Sequence, residues 1–440
     1  MSRSSNTLYL PRMRPLPGRR AVVMSVLDIG STKICCLIAK LTPADESTLF
    51  AGRSHSIEVL GYGYQRSRGI KSGVVVDMDA AEQAIRLAVD SAERMAGVTV
   101  ESLIANVSCG RLQSEIYSAT VPLAAEAVSE GDIQRVLSAG SSHSVAEGRA
   151  VNHALPISYS LDGNRGMRDP RGMMGTKLGV DMQVVTTEVA PVRNLELCIN
   201  RGHLHVETMV ATPYASGLST LVDDESELGV ACIDMGGGTT TLSVFVEGHM
   251  VHLDAIAVGG NHITTDIARA FATRLHDAER LKTLYGSPLS SSSDDQEMLT
   301  VPPLESDSEL PNQIPRSALT RVIRPRVEEI LELVRDRLTA SGFAGRVGKQ
   351  VVLTGGASQL TGLSEVARRV LGRNVRLGRP LGVAGLPEAA KGPAFAAAVG
   401  LLIYPQVAQI EQFEPRTGRF GWAGQTGYLA RVGQWFRESF

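Results

Sequence analysis

Two short segments of the chain place an aspartate, a glycine turn and hydroxyl side chains between apolar runs. In the first segment, Asp28 is followed by Gly30, Ser31, Thr32 and Lys33. The second segment repeats this order of residue types with Asp234, Gly236, Gly237, Gly238, Thr239 and Thr240. Glycine lets a backbone approach an anion closely, and consecutive N–H groups in such a turn bind phosphate oxygens. Each segment is therefore predicted to be a β-hairpin whose turn binds phosphate.

The side chains of both segments add charge and hydrogen bonds to the predicted phosphate site. Further hydroxyl donors come from Ser31, Thr32, Thr239 and Thr240. Lys33 can supply a positive charge to a β- or γ-phosphate. Asp28 and Asp234 end their strands, where two carboxylates and water molecules suit a hydrated Mg²⁺ ion. One such hairpin is common in proteins, but two in one chain predict two similar lobes facing each other across a cleft.

The elements around these segments alternate between strand and helix patterns, which favours an α/β fold. Asp79 is predicted to cap a helix that stops near Gly97. Apolar periodicity predicts a second helix over residues 319–340. A buried strand is predicted at 351–354, followed by a glycine turn and a helix at 359–371.

That glycine turn resembles the adenosine-side turn of the actin, Hsp70 and sugar-kinase superfamily. The resemblance implies that Gly355, Gly356 and Ala357 lie against the base and the α-phosphate of ATP. It also implies that Glu279 and Lys282, on a predicted helix, bind the ribose. A solvated helix face with a weak ion pair is the alternative for this pair.

Further motifs resemble the FtsA family of bacterial cell-division proteins. They lie at residues 69–77, 155–163, 170–175, 225–230, 259–267 and 326–330. The similarity runs in order from about residue 22 to 403. The proline-rich N-terminal extension and the long Ser/Asp segment at 287–316 depart from the family pattern.

The resemblance implies an actin-like fold of two lobes with duplicated ribonuclease-H-like cores and a 1C subdomain. The implied boundaries are 21–102 and 185–227 for lobe 1 (subdomain 1A), 103–184 for subdomain 1C, 228–260 and 346–404 for lobe 2 (subdomain 2A), and 261–345 for subdomain 2B. Composition predicts disorder in the basic tail 1–20 and in the loop 287–316. Both contain too few apolar side chains to offset the entropy of ordering.

The end of the chain predicts an amphipathic helix at 428–440 after a linker at 405–427. Its apolar side chains are Leu429, Val432, Trp435, Phe436 and Phe440. Burying a large apolar side chain yields roughly 1.5–3 kcal/mol, so one such helix is a reversible membrane anchor. A helix that docks back on the protein core is the alternative.

The resemblance also implies a function. The chain would bind ATP and Mg²⁺, polymerise, and tether the tubulin-like protein FtsZ to the inner membrane. It would lie at the division septum as a peripheral protein on the cytoplasmic face. Its implied partners are the FtsZ C-terminal tail, other copies of the chain through 1C, later division proteins and lipid. Arg326 is the candidate tail contact, and an ion pair with a nearby glutamate is its alternative.

Two other functions stay open within the same superfamily. One is that of the pilus-assembly actin homologue. The other is a small-molecule kinase or phosphatase, for which Glu225 is the candidate general base. For the division protein we expect a slow ATPase at most, because the sequence identifies no residue that orients an attacking water.

Composition argues against several other classes of protein. The formal net charge of -2 and the 5% aromatic content disfavour nucleic-acid binding. The five cysteines lack paired CxxC spacing, which predicts buried thiols and not a zinc site. We find no run of the roughly 20 apolar residues that a membrane span requires.

Overall fold

The computed structural model describes residues 8–44, 50, 52–108, 111–141, 145–304 and 311–408. Its strands are β1 (Leu8–Tyr9), β2 (Val22–Ile29), β3 (Lys33–Pro43), β4 (His55–Arg66), β5 (Ile70–Lys71), β6 (Val74–Val75), β7 (Ser102–Val107), β8 (Gln113–Pro122), β9 (Arg149–Leu161), β10 (Asn164–Met167), β11 (Lys177–Glu188), β12 (His205–Ala211), β13 (Val230–Met235), β14 (Thr240–Val246), β15 (His249–Ile256), β16 (Met298–Val301), β17 (Asn312–Pro315), β18 (Gln350–Thr354) and β19 (Asn374–Leu377).

The α-helices alternate with these strands. They are α1 (Met78–Ala96), α2 (Glu130–Ser141), α3 (Val189–Arg201), α4 (Thr212–Thr220), α5 (Asp223–Leu228), α6 (Gly260–Ala270), α7 (Leu275–Tyr285), α8 (Arg316–Ala340), α9 (Leu363–Leu371) and α10 (Ala396–Val407). Short 3-10 turns lie at Gly356–Gln359, Glu388–Ala390 and Pro393–Phe395.

Lobe 1 is built on a sheet with the strand order β12-β7-β2-β3-β4. Strands β7 and β12 run parallel to β2, while β3 is antiparallel to both of its neighbours. Successive residues of a strand face opposite sides of its sheet. Gly61 and Gly63 therefore face α1, where a Cβ atom would overlap the backbone of Ala92 or Ala88. Tyr62 faces the other side and contacts the Phe395 ring.

Lobe 2 repeats this plan with the strand order β15-β14-β13-β18-β19. Strands β13 and β14 form an antiparallel hairpin, and β18 runs parallel to β13. One face of the sheet packs against α6, α8 and α9 around a core that includes Ile233, Leu242, Ile323 and Leu353. Both lobes thus present the C-terminal ends of three parallel strands and one hairpin turn at one edge.

Two helices cross between the lobes. Helix α4 follows the last strand of lobe 1 but packs on the lobe 2 sheet, and α10 follows lobe 2 but packs on the lobe 1 sheet. The two helices contact each other so closely that a Cβ atom at Gly400 would overlap the backbone of Ala215. Small residues are required at this crossing because the two backbones meet there.

A third sheet has the order β1-β9-β11-β8, with β10 paired to β9, and all of its strands except β1 are inserted after β7. Helix α2 covers one face of this sheet. Val136 of α2 packs with Val180 and Met182 of β11 in a small separate core. The other face lies toward the lobes. Ser114 of β8 exchanges two hydrogen bonds, of 2.9 and 3.0 Å, with the backbone of Leu253 in β15. The inserted sheet therefore contacts lobe 2 although the chain connects it to lobe 1.

The predicted disorder of residues 1–20 is wrong for the described part of that segment. Strand β1 pairs with β9, and the side chains of Leu10, Met13 and Leu16 are buried in the main core. The Thr208 hydroxyl also donates to the Pro11 carbonyl at 2.9 Å. These three apolar residues recur every third position, and that pattern outweighs the arginine and proline content.

The predicted disorder of the 287–316 loop is also wrong, except for residues 305–310, which lie outside the described residues. Strands β16 and β17 pair there, and Leu299, Val301 and Ile314 are buried. The carboxylate of Asp294 accepts a hydrogen bond from the Ser291 N–H at 2.7 Å, which closes the preceding turn. Alternating apolar residues provide the burial that the serine-rich composition conceals.

Other sequence-based elements need smaller corrections. The cap of α1 is Asp77, whose side chain accepts from the Ala80 N–H at 3.1 Å, and not Asp79. The helix ends at Gly97 as predicted. Helix α9 begins at Leu363, because a 3-10 turn occupies part of the predicted span. Helix α10 runs to Val407, past the predicted start of the linker at 405.

The cysteine prediction is confirmed for the residues that the structure describes. Cys35, Cys36, Cys198 and Cys232 are buried free thiols, and Cys109 lies outside the described residues. Burial raises the pKa of Cys35 and of Cys232 to about 12, so these thiols stay protonated. They act as small apolar side chains.

Candidate functional site

The two predicted hairpin turns face each other and line one cavity of about 400 Å³ between the lobes. Each turn is closed by the same backbone hydrogen bond, from Gly30 N to the Lys33 carbonyl and from Gly236 N to the Thr239 carbonyl, both at 2.9 Å. A Cβ atom at Gly237 would overlap the Thr32 side chain. The turns are therefore in direct contact, and this contact requires glycine.

The 69–77 segment lies over the first turn. The Gly73 N–H donates to the Ser31 hydroxyl at 3.1 Å. A Cβ atom at Gly238 would overlap Ser31 and lie 3.0 Å from the Ser72 Cα atom. Both hairpins and this segment thus converge on one point at the rim of the cavity.

Asp28 is held by two partners at the end of β2. The Lys33 ammonium group lies 2.8 Å from Asp28 Oδ2, and the Asn106 side chain donates to Oδ1 at 2.9 Å. Burial alone would lower the pKa of Lys33, but the Asp28 carboxylate outweighs burial and the pKa is raised. Lys33 therefore stays charged inside the cavity, where it also lies 4.5 Å from the centre of the Phe395 ring.

Asp234 occupies the corresponding position at the end of the β13 apolar run. Burial raises the pKa of Asp234 to about 6, against the opposing effect of the hydrogen bond that Ser216 donates to it. A cation in the cavity would favour the ionised form. Among the described residues no group of three or more metal-binding side chains is found. Two carboxylates that line one cavity suit Mg²⁺, which keeps several water ligands in proteins.

The third glycine turn packs directly against Asp234. Gly355 has a φ angle of 83°, and a Cβ atom there would overlap Asp234 Oδ1. Gly356 and Ala357 follow and line the same cavity. This turn thus requires glycine both for its left-handed backbone and for its contact with the carboxylate.

Glu279 and Lys282, on α7, also line the cavity. Lys282 Nζ lies 2.6 Å from Glu279 Oε2 and donates to the Thr264 hydroxyl at 2.8 Å and to the Gly260 carbonyl at 3.2 Å. The pair is anchored to α6 and does not form an isolated pair on a solvated helix face. The pair forms a polar part of the cavity lining beside the glycine turns.

One predicted residue points away from the cavity. Thr240 is fully buried and its hydroxyl donates to the Val258 carbonyl at 2.8 Å. Thr239 and Thr241 line the cavity instead. The prediction for the Thr240 side chain is therefore wrong, because β14 begins at this residue and its alternation turns 240 to the other face.

Sequence reasoning missed several polar residues of the site. Asn106 joins three elements, since it accepts from Ile29 N at 2.7 Å and donates to Thr212 Oγ1 at 3.1 Å as well as to Asp28. Asn261 of α6 accepts from the Thr32 hydroxyl at 3.2 Å and so links the two lobes. The sequence signal that could have identified Asn106 is that this polar residue interrupts the apolar run 103–107.

The predicted partner and membrane residues lie elsewhere. Arg326 Nε is 2.6 Å from Asp266 Oδ2, and its Nη1 is 2.5 Å from Glu329 Oε2, so the alternative of a local ion pair is present. Leu429, Val432, Trp435, Phe436 and Phe440 lie outside the described residues. Among the residues that the structure describes, none of the helices is both long and apolar enough to span a membrane.

Comparison with solved structures supports the architecture. The chain is similar to the PilM–PilN type IV pilus biogenesis complex with a TM-score of 0.60 and 16% identity, over 88% of this chain and 99% of that one. It is also similar to MreB5 of Spiroplasma citri bound to ADP, with a TM-score of 0.50 and 13% identity over 89% and 98%. At these identities the likeness concerns the fold alone, which is the predicted actin-like α/β fold.

Comparison of sequences is more specific. A family model for the cell division protein FtsA matches residues 231–400, and one for the SHS2 domain inserted in FtsA matches 109–186. The chain is 59% identical over 432 residues to the cell division protein FtsA of Rhizobium meliloti (strain 1021), covering 98% of each. It is 30% identical over 421 residues to that of Escherichia coli (strain K12), covering 94% and 97%. Full-length similarity at this level shows that the chain belongs to the FtsA family of cell division proteins.

Proposed function

We propose that the cavity binds ATP with Mg²⁺, and that the chain is a membrane-attached, polymerising adaptor of the division machinery. The observation that carries the nucleotide proposal is the meeting of three glycine turns and two aspartates around one cavity. Such a donor set matches the needs of a triphosphate and its metal ion.

Each part of the cavity has a role in this proposal. The backbone N–H groups of the turns at 30–33 and 236–239 bind phosphate oxygens, and Lys33 adds positive charge. Asp28 and Asp234 would hold Mg²⁺, which would supply positive charge against the phosphates. Glu279 and Lys282 bind the ribose, while the turn at 355–357 lies against the base.

The carboxylates of the cavity support slow hydrolysis at most. Within the described residues that line it, the carboxylates are Asp28, Asp234 and Glu279, and each has a hydrogen-bond partner. A fast phosphotransferase needs a free general base beside the γ-phosphate. Glu225 is bound by Arg376 Nε at 2.6 Å and does not line the cavity, so the kinase or phosphatase alternative loses its candidate base.

The adaptor function combines the nucleotide site with three contacts. The helix at 428–440 anchors the chain reversibly on the cytoplasmic face of the inner membrane at the septum. Subdomain 2B receives the FtsZ tail, for which Arg326 exchanges one of its carboxylate partners. Subdomain 1C contacts other copies of the chain and later division proteins. A row of linked protomers binds a membrane far more tightly than one, because the second anchoring event is intramolecular.

Sedimentation of FtsZ with vesicles tests the adaptor proposal. The full chain is mixed with FtsZ, ATP, Mg²⁺ and lipid vesicles, and compared with a chain that ends at residue 424. We expect FtsZ to sediment with vesicles only when the full chain is present. Equal sedimentation of FtsZ with the shortened chain would contradict the anchor. Separate measurement of ATP binding by calorimetry tests the cavity independently.

A further inference from the structure

The edge of the lobe 1 sheet opposite the cavity carries its own group of charged and apolar side chains. Strands β2, β4, β7 and β12 point in one direction, and the cavity lies at the C-terminal end of β2, β7 and β12. Their N-terminal ends, at Val22, His55, Ser102 and His205, therefore share the other edge. This edge faces away from the nucleotide site.

The N-terminal segment is fixed to this edge and exposes arginines there. Burial of Leu10, Met13 and Leu16 anchors the segment. Arg19 and Arg20 lie in the exposed turn before β2, and within the described residues neither forms an ion pair with a carboxylate. Arg14 is also exposed, but it lines a shallow cavity with Glu101 and Glu207. The positive charges of Arg19 and Arg20 are therefore offset by acidic side chains less than the charge of Arg14 is.

Exposed apolar side chains lie on the same edge as these arginines. Val23 is 48% exposed and Val98 is 37% exposed, and both line the same shallow cavity as Arg14. Met95, at the end of α1 and close to Val98 in sequence, is 56% exposed. A surface that mixes arginines with exposed apolar residues suits the interface of a membrane.

The chain leaves its last described helix at the same edge. The Gln406 side chain in α10 accepts hydrogen bonds from Ser54 N and His55 N, both at 2.9 Å. The His55 ring, in turn, lies 3.3 Å from the Pro17 carbonyl. The end of α10 and the N-terminal segment are thus joined through the start of β4. The end of α10 therefore lies on the same edge of lobe 1 as the arginines. Residues 409–440, which contain the predicted membrane helix, follow it in the sequence.

We propose that this basic edge, defined as Arg14, Arg19, Arg20, Val23, Met95 and Val98, contacts an anionic lipid surface directly. The proposal rests on the proposed anchoring by residues 428–440, which would bring the edge to the membrane. An arginine near an anionic surface strengthens binding by about fivefold. One reversible anchor is marginal, and a basic patch is the second signal that makes attachment stable. The basic edge also orients the cavity away from the lipid.

Vesicle binding of a charge variant tests the basic edge. The full chain with Arg19→Ser and Arg20→Ser is compared with the unchanged chain on phosphatidylcholine vesicles with and without phosphatidylglycerol. The matched control carries Arg280→Ser and Arg321→Ser, two exposed arginines of lobe 2. We expect about 25-fold weaker binding of the first variant to anionic vesicles, fivefold for each arginine, no loss for the control, and equal binding of all three chains to neutral vesicles.

The remaining outcomes separate the basic edge from the membrane helix. Unchanged binding of the Arg19→Ser, Arg20→Ser variant to anionic vesicles overturns the proposal, and so does an equal loss for the control. A chain that ends at residue 424 tests the anchor alone. If that chain binds as well as the full chain while the arginine variant loses affinity, the anchor is wrong and the basic edge stands. Thermal melting of each variant checks that the fold is unchanged.

Discussion

The side chain of Asn106 holds the carboxylate of Asp28 from the neighbouring strand, with Nδ2 donating to Oδ1 at 2.9 Å. The same amide also accepts from the backbone of Ile29, the last residue of β2 before the first hairpin turn, and donates to the first residue of α4. One buried side chain thus fixes the position of an aspartate, a turn and a helix start. Buried polar groups of this kind are costly when one partner is removed.

Replacing Asn106 with alanine is expected to disturb both stability and nucleotide binding. The change leaves the Ile29 N–H and an oxygen of Asp28 without their partner, which costs about 1–3 kcal/mol of unfolding free energy. Urea unfolding measures this loss, and calorimetry measures a weaker ATP affinity. The matched control is Asn152→Ala, which removes a buried asparagine of the inserted sheet whose side chain has no hydrogen-bond partner within the described part of the chain. Normal ATP affinity in Asn106→Ala would contradict the positioning role.

Replacing Asp234 with asparagine is expected to remove the magnesium dependence of ATP binding. The substitution keeps the size of the side chain and the hydrogen bond from Ser216, but it removes a negative charge opposite Asp28. Calorimetric titration with ATP, with Mg²⁺ and with EDTA, should show a difference in the unchanged chain and little difference in the variant. A variant that still binds ATP more tightly with Mg²⁺ would show that Asp234 does not hold the ion.

Substitution of Gly237 tests the contact between the two turns. A valine there would overlap Thr32, so the two hairpins could not approach as they do. We expect ATP affinity to fall about tenfold or more, while the thermal midpoint changes by only a few degrees because the turn is at the cavity rim. Gly345→Val is the matched control, since no atom of the described residues lies within 4 Å of a Cβ at that position. Equal affinities for the two variants would contradict the closed contact.

Glu196 on α3 gives the protein a pH dependence of stability that is independent of the cavity. Burial raises the pKa of Glu196 to about 7 from 4.5, and its Oε2 has no hydrogen-bond partner among the residues that the structure describes. The folded state therefore binds this proton more tightly than the unfolded state, so the stabilisation is present below about pH 4.5 and is lost as pH rises through 7.

Glu196→Gln is therefore expected to be more stable than the unchanged chain at pH 8 by about 1–2 kcal/mol. The two chains should have similar stability near pH 5. Urea unfolding at both values checks the difference, with the exposed Glu365→Gln as control. A gain that is the same at both values would mean that ionisation of Glu196 is not its cause.

Local patterns predicted the parts of the site that are continuous in sequence. The hairpin turns at 30–33 and 236–239 are specified by their own glycines, and a short apolar run on each side defines the strands. Asn106 could not be assigned to the site in this way, because its three partners come from β2 and α4, which only the folded sheet brings together. The Thr240 side chain is predicted to line the cavity but lies on the other face of β14. Which face it takes depends on the residue at which β14 begins.

Composition predicts disorder wrongly where a segment has only a few apolar residues but spaces them so that each can be buried. Leu10, Met13 and Leu16 suffice to order the N-terminal segment because a groove on lobe 1 accepts them, and that groove is a property of the tertiary structure. Likewise, β16 needs only Leu299 and Val301 to pack on the core of lobe 2. A count of charged and proline residues does not register such complementary surfaces.

The backbone contact between Gly400 and Ala215 restricts how the lobes can move. Because α4 and α10 touch at this point and each is packed on the sheet of the opposite lobe, the lobes cannot be pulled straight apart without breaking both interfaces. The relative motion that keeps both interfaces intact is a rotation of the lobes about the contact between α4 and α10. We therefore expect any opening of the cavity to be a rotation about this crossing and not a separation of the lobes.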